Sequence, residues 1–123
     1  MSTLRVNTLQ DATGSNQPAM VGAAKAWVNF NGTGTVAIRE QFNVSSITDN
    51  GTGSYTLNFT TAMTDANYSF VGSTAWASGQ PSALVGSSTS STQISAGSLE
   101  FYTLGNGSDA PVDVTVATIA IFR

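Results

Sequence analysis

The fold class follows from residues 25–60, KAWVNFNGTGTVAIREQFNVSSITDNGTGSYTLNFT. The middle of this stretch, residues 47–55, is typical of a β-hairpin, because Asn and Gly tolerate the positive φ angles that tight hairpin turns require. From Tyr55 to Thr60, apolar and polar residues then alternate with a period of two. That period predicts a strand with one buried face and one face in water. The stretch therefore predicts β structure, and by itself it indicates no function.

The segment before the hairpin continues the same pattern. Ala26, Val28 and Phe30 share one face of a predicted strand, and Trp27 lies on the other face. Because Trp27 stands in the middle of an apolar run, we favour packing over ligand contact for its side chain. Residues 35–44 then form one long strand or two.

Two changes of parity indicate irregular strands. Ile47 does not share the parity of Val44, which predicts a bulge or a strand end near residues 45–46. Residues 112–122 carry the strongest strand pattern of the chain, and their apolar positions also change parity part-way. A central strand buried on both faces, or a strand with a bulge, would give this pattern.

About eight or nine predicted strands follow one another at spacings of roughly 8–12 residues, and no segment has helical periodicity. We therefore predict an all-β domain, an antiparallel β-sandwich of jelly-roll-like type, over residues 25–123. Residues 1–24 are predicted to form a short N-terminal strand and an extended arm that is separate from this domain. Since one strand is not stable alone in water, the apolar residues of the arm must pair with the domain, a neighbouring subunit or a larger assembly. These candidate attachment or oligomerisation residues are Leu4, Val6 and Leu9.

Composition excludes several classes of function. The net charge is −3 with four Lys and Arg residues, so no basic stripe is present for nucleic acid or for an anionic membrane. No apolar run approaches the roughly 20 residues of a membrane-spanning helix, and residues 1–6 lack the apolar segment of a signal peptide. We therefore expect no membrane insertion, and release from a cell by lysis or another Sec-independent route.

The side chains that enzymes use most often are missing. The chain has no His and no Cys, which removes the commonest general base, the thiol nucleophile and the usual zinc ligands. Glu40 and Glu100 lie in predicted strands and could face one another, but we favour solvated carboxylates over a catalytic pair. Asp109 and Asp113 flank Pro111 and could help to bind Ca²⁺. We favour the alternative that they belong to an ordinary polar loop. We predict no catalytic residues, no metal site and no cofactor.

Carbohydrate binding is a more specific hypothesis for a functional site than catalysis or metal binding. An exposed aromatic ring with neighbouring amides and carboxylates suits a shallow sugar site. Two predicted loops have this composition, one at residues 76–82 and one after the strand that ends near residue 104. The alternative is that their aromatic residues pack in the core or in a subunit interface. The candidate receptor- or glycan-binding residues are Trp76, Gln80, Tyr102, Asn106 and Asp109.

Two segments together resemble known proteins. Residues 2–10, STLRVNTLQ, resemble the start of tail-fibre and other virion structural proteins of marine bacteriophages, especially cyanophages. Residues 25–63, followed by DANY at 65–68 and by the terminal IFR at 121–123, resemble a small β-domain that recurs in such proteins. The resemblance covers most of the chain, and residues 72–111 match least.

The resemblance implies a virion component made in the cytoplasm of a bacterial host. It is a fibre, a fibre tip or a related appendage, expected to be a homotrimer that contacts other phage tail or virion proteins and a host surface glycan. Low charge and abundant Ser, Thr and Asn suit β-proteins whose surfaces become interfaces. Two alternatives stay open: a capsid decoration protein that clamps capsomers through the arm, and a free carbohydrate-binding module.

Overall fold

The computed structural model describes residues 2–3, 23–75, 84–86, 94–105 and 110–123. Within these ranges the chain forms eight strands and no helix. The strands are β1 Ala24–Asn31, β2 Ala37–Phe42, β3 Val44–Gly51, β4 Ser54–Phe59, β5 Ser69–Ala75, β6 Leu84–Gly86, β7 Ser98–Leu104 and β8 Val116–Phe122.

The strands form two four-stranded sheets that pack face to face. Sheet A has the order β2-β1-β8-β5, and sheet B has the order β3-β4-β7-β6. Every neighbouring pair of strands is antiparallel. The predicted all-β antiparallel sandwich is confirmed. At one end of sheet A, Ala24 of the first strand pairs with Phe122 of the last.

The core lies between the two sheets because the alternation of the strands sends every second side chain inward. In β8 the pattern is regular, and Ala117, Ile119 and Ile121 are buried while the residues between them are half-buried. The largest buried rings come from both sheets: the centroid of Phe30 lies 5.2 Å from that of Tyr55 and 6.0 Å from that of Phe101. Such edge-to-face pairs contribute about 0.5–1.5 kcal/mol each beyond the area that they bury.

The chain passes from sheet A to sheet B at Asn43, which has a φ of 55°. Residues 35–44 are therefore two strands and not one. Asn is one of the few residues that adopt this left-handed conformation readily, because its short side chain bonds to nearby backbone. Here Nδ2 donates to the carbonyls of Lys25 and Thr61, both at 3.1 Å, and Oδ1 accepts from the amide of Thr61 at 2.8 Å. These bonds hold the corner against the start of β1 and the end of β4.

The predicted hairpin is confirmed as the β3–β4 pair, which closes with Gly51 opposite Ser54. Gly51 and Gly53 have φ angles of 126° and 63°, values that residues with a Cβ rarely adopt. The register shifts between Val44 and Ser46, so the irregularity predicted near residues 45–46 is confirmed, and it lies within β3 rather than at a strand end there.

The last strand is shorter than the sequence predicts. Within the predicted 112–122, β8 begins only at Val116. Asp113 lies in the preceding segment, where its Oδ1 accepts hydrogen bonds from the amide of Gly53 at 2.7 Å and from the hydroxyl of Tyr55 at 2.9 Å. Burial and then this carboxylate raise the pKa of the Tyr55 hydroxyl well above its ordinary value. The residues before β8 are thus fixed to the hairpin by the side-chain bonds of Asp113. The change of parity that the sequence shows within residues 112–122 marks the point where this segment joins β8.

The predicted N-terminal strand and arm cannot be compared with the structure, because residues 4–22 lie outside the described residues. No membrane-spanning helix is present among the residues that are described.

Candidate binding groove on sheet A

The outer face of sheet A carries an apolar row that crosses all four strands. The cross-strand register places Trp27 of β1 opposite Phe42 of β2 and opposite Ala120 of β8, and Ala120 opposite Val71 of β5. Three of these side chains are large and open to solvent: Trp27 is 37% exposed, Phe42 46% and Val71 58%. Monomeric proteins expose single apolar residues routinely, but a contiguous row of them marks an interaction surface.

An open groove of about 440 Å³ runs along this face between Trp27 on one side and Val71 on the other. Its floor is low because Ala120 stands between the two larger side chains, and Gly72 adds no side chain on β5. Phe42, one strand further out, belongs to the apolar row but does not line the groove. The lining residues are Trp27, Val28, Asn29, Val71, Gly72, Ser73, Thr118, Ile119 and Ala120.

A polar row lies beside the apolar one. Two residues further along the strands, Asn29 of β1 is opposite Thr118 of β8, and Thr118 is opposite Ser73 of β5. The hydroxyls of Ser73 and Thr118 are 2.8 Å apart and share a hydrogen bond. The groove therefore has an aromatic wall and a neighbouring line of amide and hydroxyl groups.

Arg39 fixes the orientation of the Asn29 amide. Its Nη1 donates to Oδ1 of Asn29 at 3.3 Å, and its Nη2 donates to the carbonyl of Thr115 at 2.6 Å. Because a guanidinium can only donate, the oxygen of the amide must face Arg39. Within the described part of the chain Nδ2 of Asn29 makes no hydrogen bond, so it remains a donor for a ligand. No residue that lines the groove is charged.

Of the residues that the sequence predicts for glycan binding, only Tyr102 is described. It lies on the outer face of sheet B, half-buried, and its hydroxyl is 3.5 Å from Oε1 of Glu100. Tyr102 is thus outside the core, and it is on the opposite side of the sandwich from the groove. The other candidates lie outside the described residues, for binding Trp76, Gln80, Asn106 and Asp109, and for attachment Leu4, Val6 and Leu9.

The carboxylates of the described residues do not converge on one site. Glu40 is opposite Asn29 on the outer face of sheet A, whereas Glu100 is opposite Thr56 on the outer face of sheet B, so the idea that the two could face one another is wrong. Asp113 is engaged with the hairpin. Among the described residues no group of three or more potential ligands could hold a metal ion.

The sequence did not indicate the groove. Trp27 was assigned to packing, but its ring is more than one third exposed. The signal that could have found it is the alternation itself, because Trp27 has the opposite parity to the buried Ala26 and Val28.

Comparison with known proteins adds no relative: no family model, no curated protein and no solved structure matches the chain.

Proposed function

We propose that this chain is a structural protein of a phage virion, a tail-fibre-type component that acts in assembly and in adhesion to the host surface. In this proposal the residues before β1 attach the chain to other tail or virion proteins, and the β-sandwich is displayed as a homotrimer. The protein is not an enzyme in this proposal, and it uses no cofactor.

The observation that carries the proposal is the apolar row on sheet A. Trp27, Phe42 and Val71 are exposed together on one face, and apolar side chains grouped in this way are typical of interaction surfaces. An exposed aromatic groove without convergent carboxylates suits recognition better than catalysis. The resemblance of residues 2–10 and 25–63 to virion proteins supports the same conclusion.

The mechanism is multivalent. A shallow groove on one chain binds weakly, but three copies on one fibre, and several fibres on one particle, act together at a high effective concentration. Avidity can then exceed the affinity of one site by roughly 10²–10⁴-fold.

Imaging of the chain on the virion tests the proposal. Gold labelling of a tagged chain should mark the tail or its appendages, and light scattering of the purified protein should give about 38 kDa, three times the chain mass of 12.6 kDa. A protein that stays monomeric at all concentrations would exclude the trimeric fibre.

The same experiments separate the alternatives. Label spread over the whole capsid, with hundreds of copies per particle, would indicate the decoration protein. Deletion of residues 1–20 should abolish incorporation into the particle for either virion protein. A free carbohydrate-binding module would be indicated by two results together: the chain is never found in particles, and it still binds sugars after the deletion.

A further inference from the structure

We propose that the groove on sheet A is a binding site for a short segment of a neutral oligosaccharide, with Trp27 as the stacking platform and Asn29 as a hydrogen-bond donor. The inference rests on the proposed adhesive function and names the ligand of its surface. It places the site on a face that the sequence had not indicated.

The aromatic wall supplies the first element of such a site. One face of a pyranose ring presents C–H groups, which pack on the electron-rich face of an indole. Trp27 stands opposite Phe42 of β2 and Ala120 of β8 in the cross-strand register, and it is partly open to solvent. Its strand β1 is the neighbour of both β2 and β8, so the platform is carried by a backbone that is paired on both sides at this position.

The polar row supplies the second element. The Nδ2 group of Asn29 is directed away from Arg39 and can donate to a sugar hydroxyl. The hydroxyls of Ser73 and Thr118 bond to each other, and that of Thr118 also donates to the carbonyl of Ser73 at 3.3 Å. Both hydroxyl oxygens keep lone pairs that can accept from a sugar hydroxyl. Donors and acceptors thus lie in one line beside the platform, as a ring with several hydroxyl groups requires.

Charge selects the class of ligand. No charged side chain lines the groove, and at its edge beside Asn29 the guanidinium of Arg39 is already bonded to Asn29 and to the carbonyl of Thr115. The lining therefore favours a neutral ligand over a phosphate, a sulfated sugar or a basic peptide. An extended peptide is disfavoured for a second reason. The groove lies on a sheet face, where the backbone groups of β1 and β8 are already paired on both sides, and a peptide gains most of its affinity from an open edge.

Area argues against a second copy of the chain as the occupant. Side chains of this size carry roughly 150–250 Å², so the exposed parts of Trp27, Phe42 and Val71 amount to on the order of 250–300 Å². A stable interface buries about 800 Å² on each partner. The row has the polar side chains of Asn29, Thr118 and Ser73 along one side and the half-buried Phe122 on the other, and this mixed surface suits a sugar better than a subunit.

Calorimetry with defined sugars tests the proposal. The probes are hexasaccharides of β-1,4-glucan, β-1,3-glucan, α-1,4-glucan and α-mannan, with an oligogalacturonate of equal length as the anionic comparison. We expect the purified full chain to bind at least one neutral probe and to bind the anionic one more weakly. Trp27→Ala should weaken that binding at least tenfold. Asn29→Asp, which removes the donor and adds a charge beside the platform, should weaken it several-fold.

Phe42→Ala is the matched control, because Phe42 is in the same apolar row and more exposed but does not line the groove. It should change affinity less than twofold, and so should Trp76→Ala. The proposal is overturned if no neutral probe binds the wild type, or if Trp27→Ala binds as the wild type does. A loss of binding in Trp76→Ala alone would also overturn it.

Light scattering of Trp27→Ala decides between ligand and subunit. A mass equal to that of the wild type supports the sugar site, and a fall to the monomer mass would show that the row is a subunit interface. Virion imaging is independent of these measurements. If the chain lies on the virion but binds no neutral sugar, the oligosaccharide site is refuted and the virion role is not. If the chain binds sugar but is absent from virions, the tail-fibre role is refuted and the sugar site is not.

Discussion

Gly53 is the position in the hairpin where the structure leaves least room for change. Its φ of 63° is left-handed, and a Cβ built there would overlap the backbone nitrogen of Val112 and lie 2.8 Å from the carbonyl oxygens of Val112 and Thr103. Backbone atoms cannot rotate away as a flexible side chain can. Gly53→Ala should therefore combine a conformational cost with a steric one.

Three other glycines allow the two costs to be measured apart. Gly34 has a φ of 64° and open space around it, so Gly34→Ala should cost about 1 kcal/mol for conformation alone. At Gly32 the φ is not left-handed, but a Cβ would overlap the hydroxyl of Tyr55 and lie 2.9 Å from its Cζ, which should cost about 1–3 kcal/mol. Gly97 has neither restriction, and Gly97→Ala should be neutral or stabilise by about 0.5 kcal/mol. The sum for Gly53→Ala is about 2–4 kcal/mol.

The free energy of unfolding, measured by urea titration with far-ultraviolet circular dichroism, gives all four values under one condition. The expected order of destabilisation is Gly53 first, then Gly32 and Gly34, with Gly97 last. If Gly53→Ala lost no more free energy than Gly34→Ala, the close approach of residues 103 and 112 to the hairpin would not be a feature of the folded protein. An unchanged urea dependence (m-value) in the four variants serves as the control that the unfolded state is not altered.

Three further predictions concern the same stability assay. Burial raises the pKa of Tyr68 to about 12, so its protonated form contributes stability that is complete below about pH 10 and lost as the pH rises toward 12. The free energy of unfolding of Tyr68→Phe should therefore depend less steeply on pH in this range. An equal slope in the variant and the wild type would contradict the burial of the Tyr68 hydroxyl. The Arg123 guanidinium lowers the pKa of Asp65, so their ion pair stabilises above about pH 4 and is lost as the pH falls through the lowered value. The difference in urea midpoint between wild type and Asp65→Asn should shrink as the pH falls below about 4, and a difference that stays constant down to the acid limit of the titration would show that the charge is not involved. Asn43→Gly removes three side-chain hydrogen bonds and should lower the free energy of unfolding by about 1–3 kcal/mol. Asn43→Ala should lower it by about 1 kcal/mol more, because Ala tolerates the positive φ poorly. Equal losses in the two variants would mean that the backbone at this corner relaxes.

Local sequence signals predicted the hairpin and the inward faces of the strands well. Gly51 and Gly53 specify the turn through their own backbone preferences, and the alternation from Tyr55 to Phe59 needs only neighbouring residues to define a face. The sandwich follows from repeating such segments. These features depend on contacts between residues that are close in sequence.

Features that depend on which strands become neighbours were not predictable in the same way. The alternation places Trp27 on the face opposite Ala26 and Val28, but its segment alone does not show whether that face is covered; among the described residues no further layer packs on its row of sheet A. Glu40 and Glu100 lie on the outer faces of different sheets, because β2 belongs to sheet A and β7 to sheet B. The groove itself needs β5, more than forty residues after β1, and so it appears only when the register is known.

The pairing of Ala24 with Phe122 determines how the domain would bear a mechanical load. Pulled apart by these two ends, β1 and β8 would separate one hydrogen bond at a time, because antiparallel neighbours are then loaded from the same end. A load between the residues before β1 and a ligand on Trp27 takes a different path. It runs along β1 for about 10 Å, the rise of three residues; β8 holds this stretch by bonds perpendicular to the force, and β2 joins on the other side from Trp27 onward. An adhesive domain tethered in this way would transmit the pull of its host through one central strand, in shear, and leave the hairpin and the core outside the path of the force.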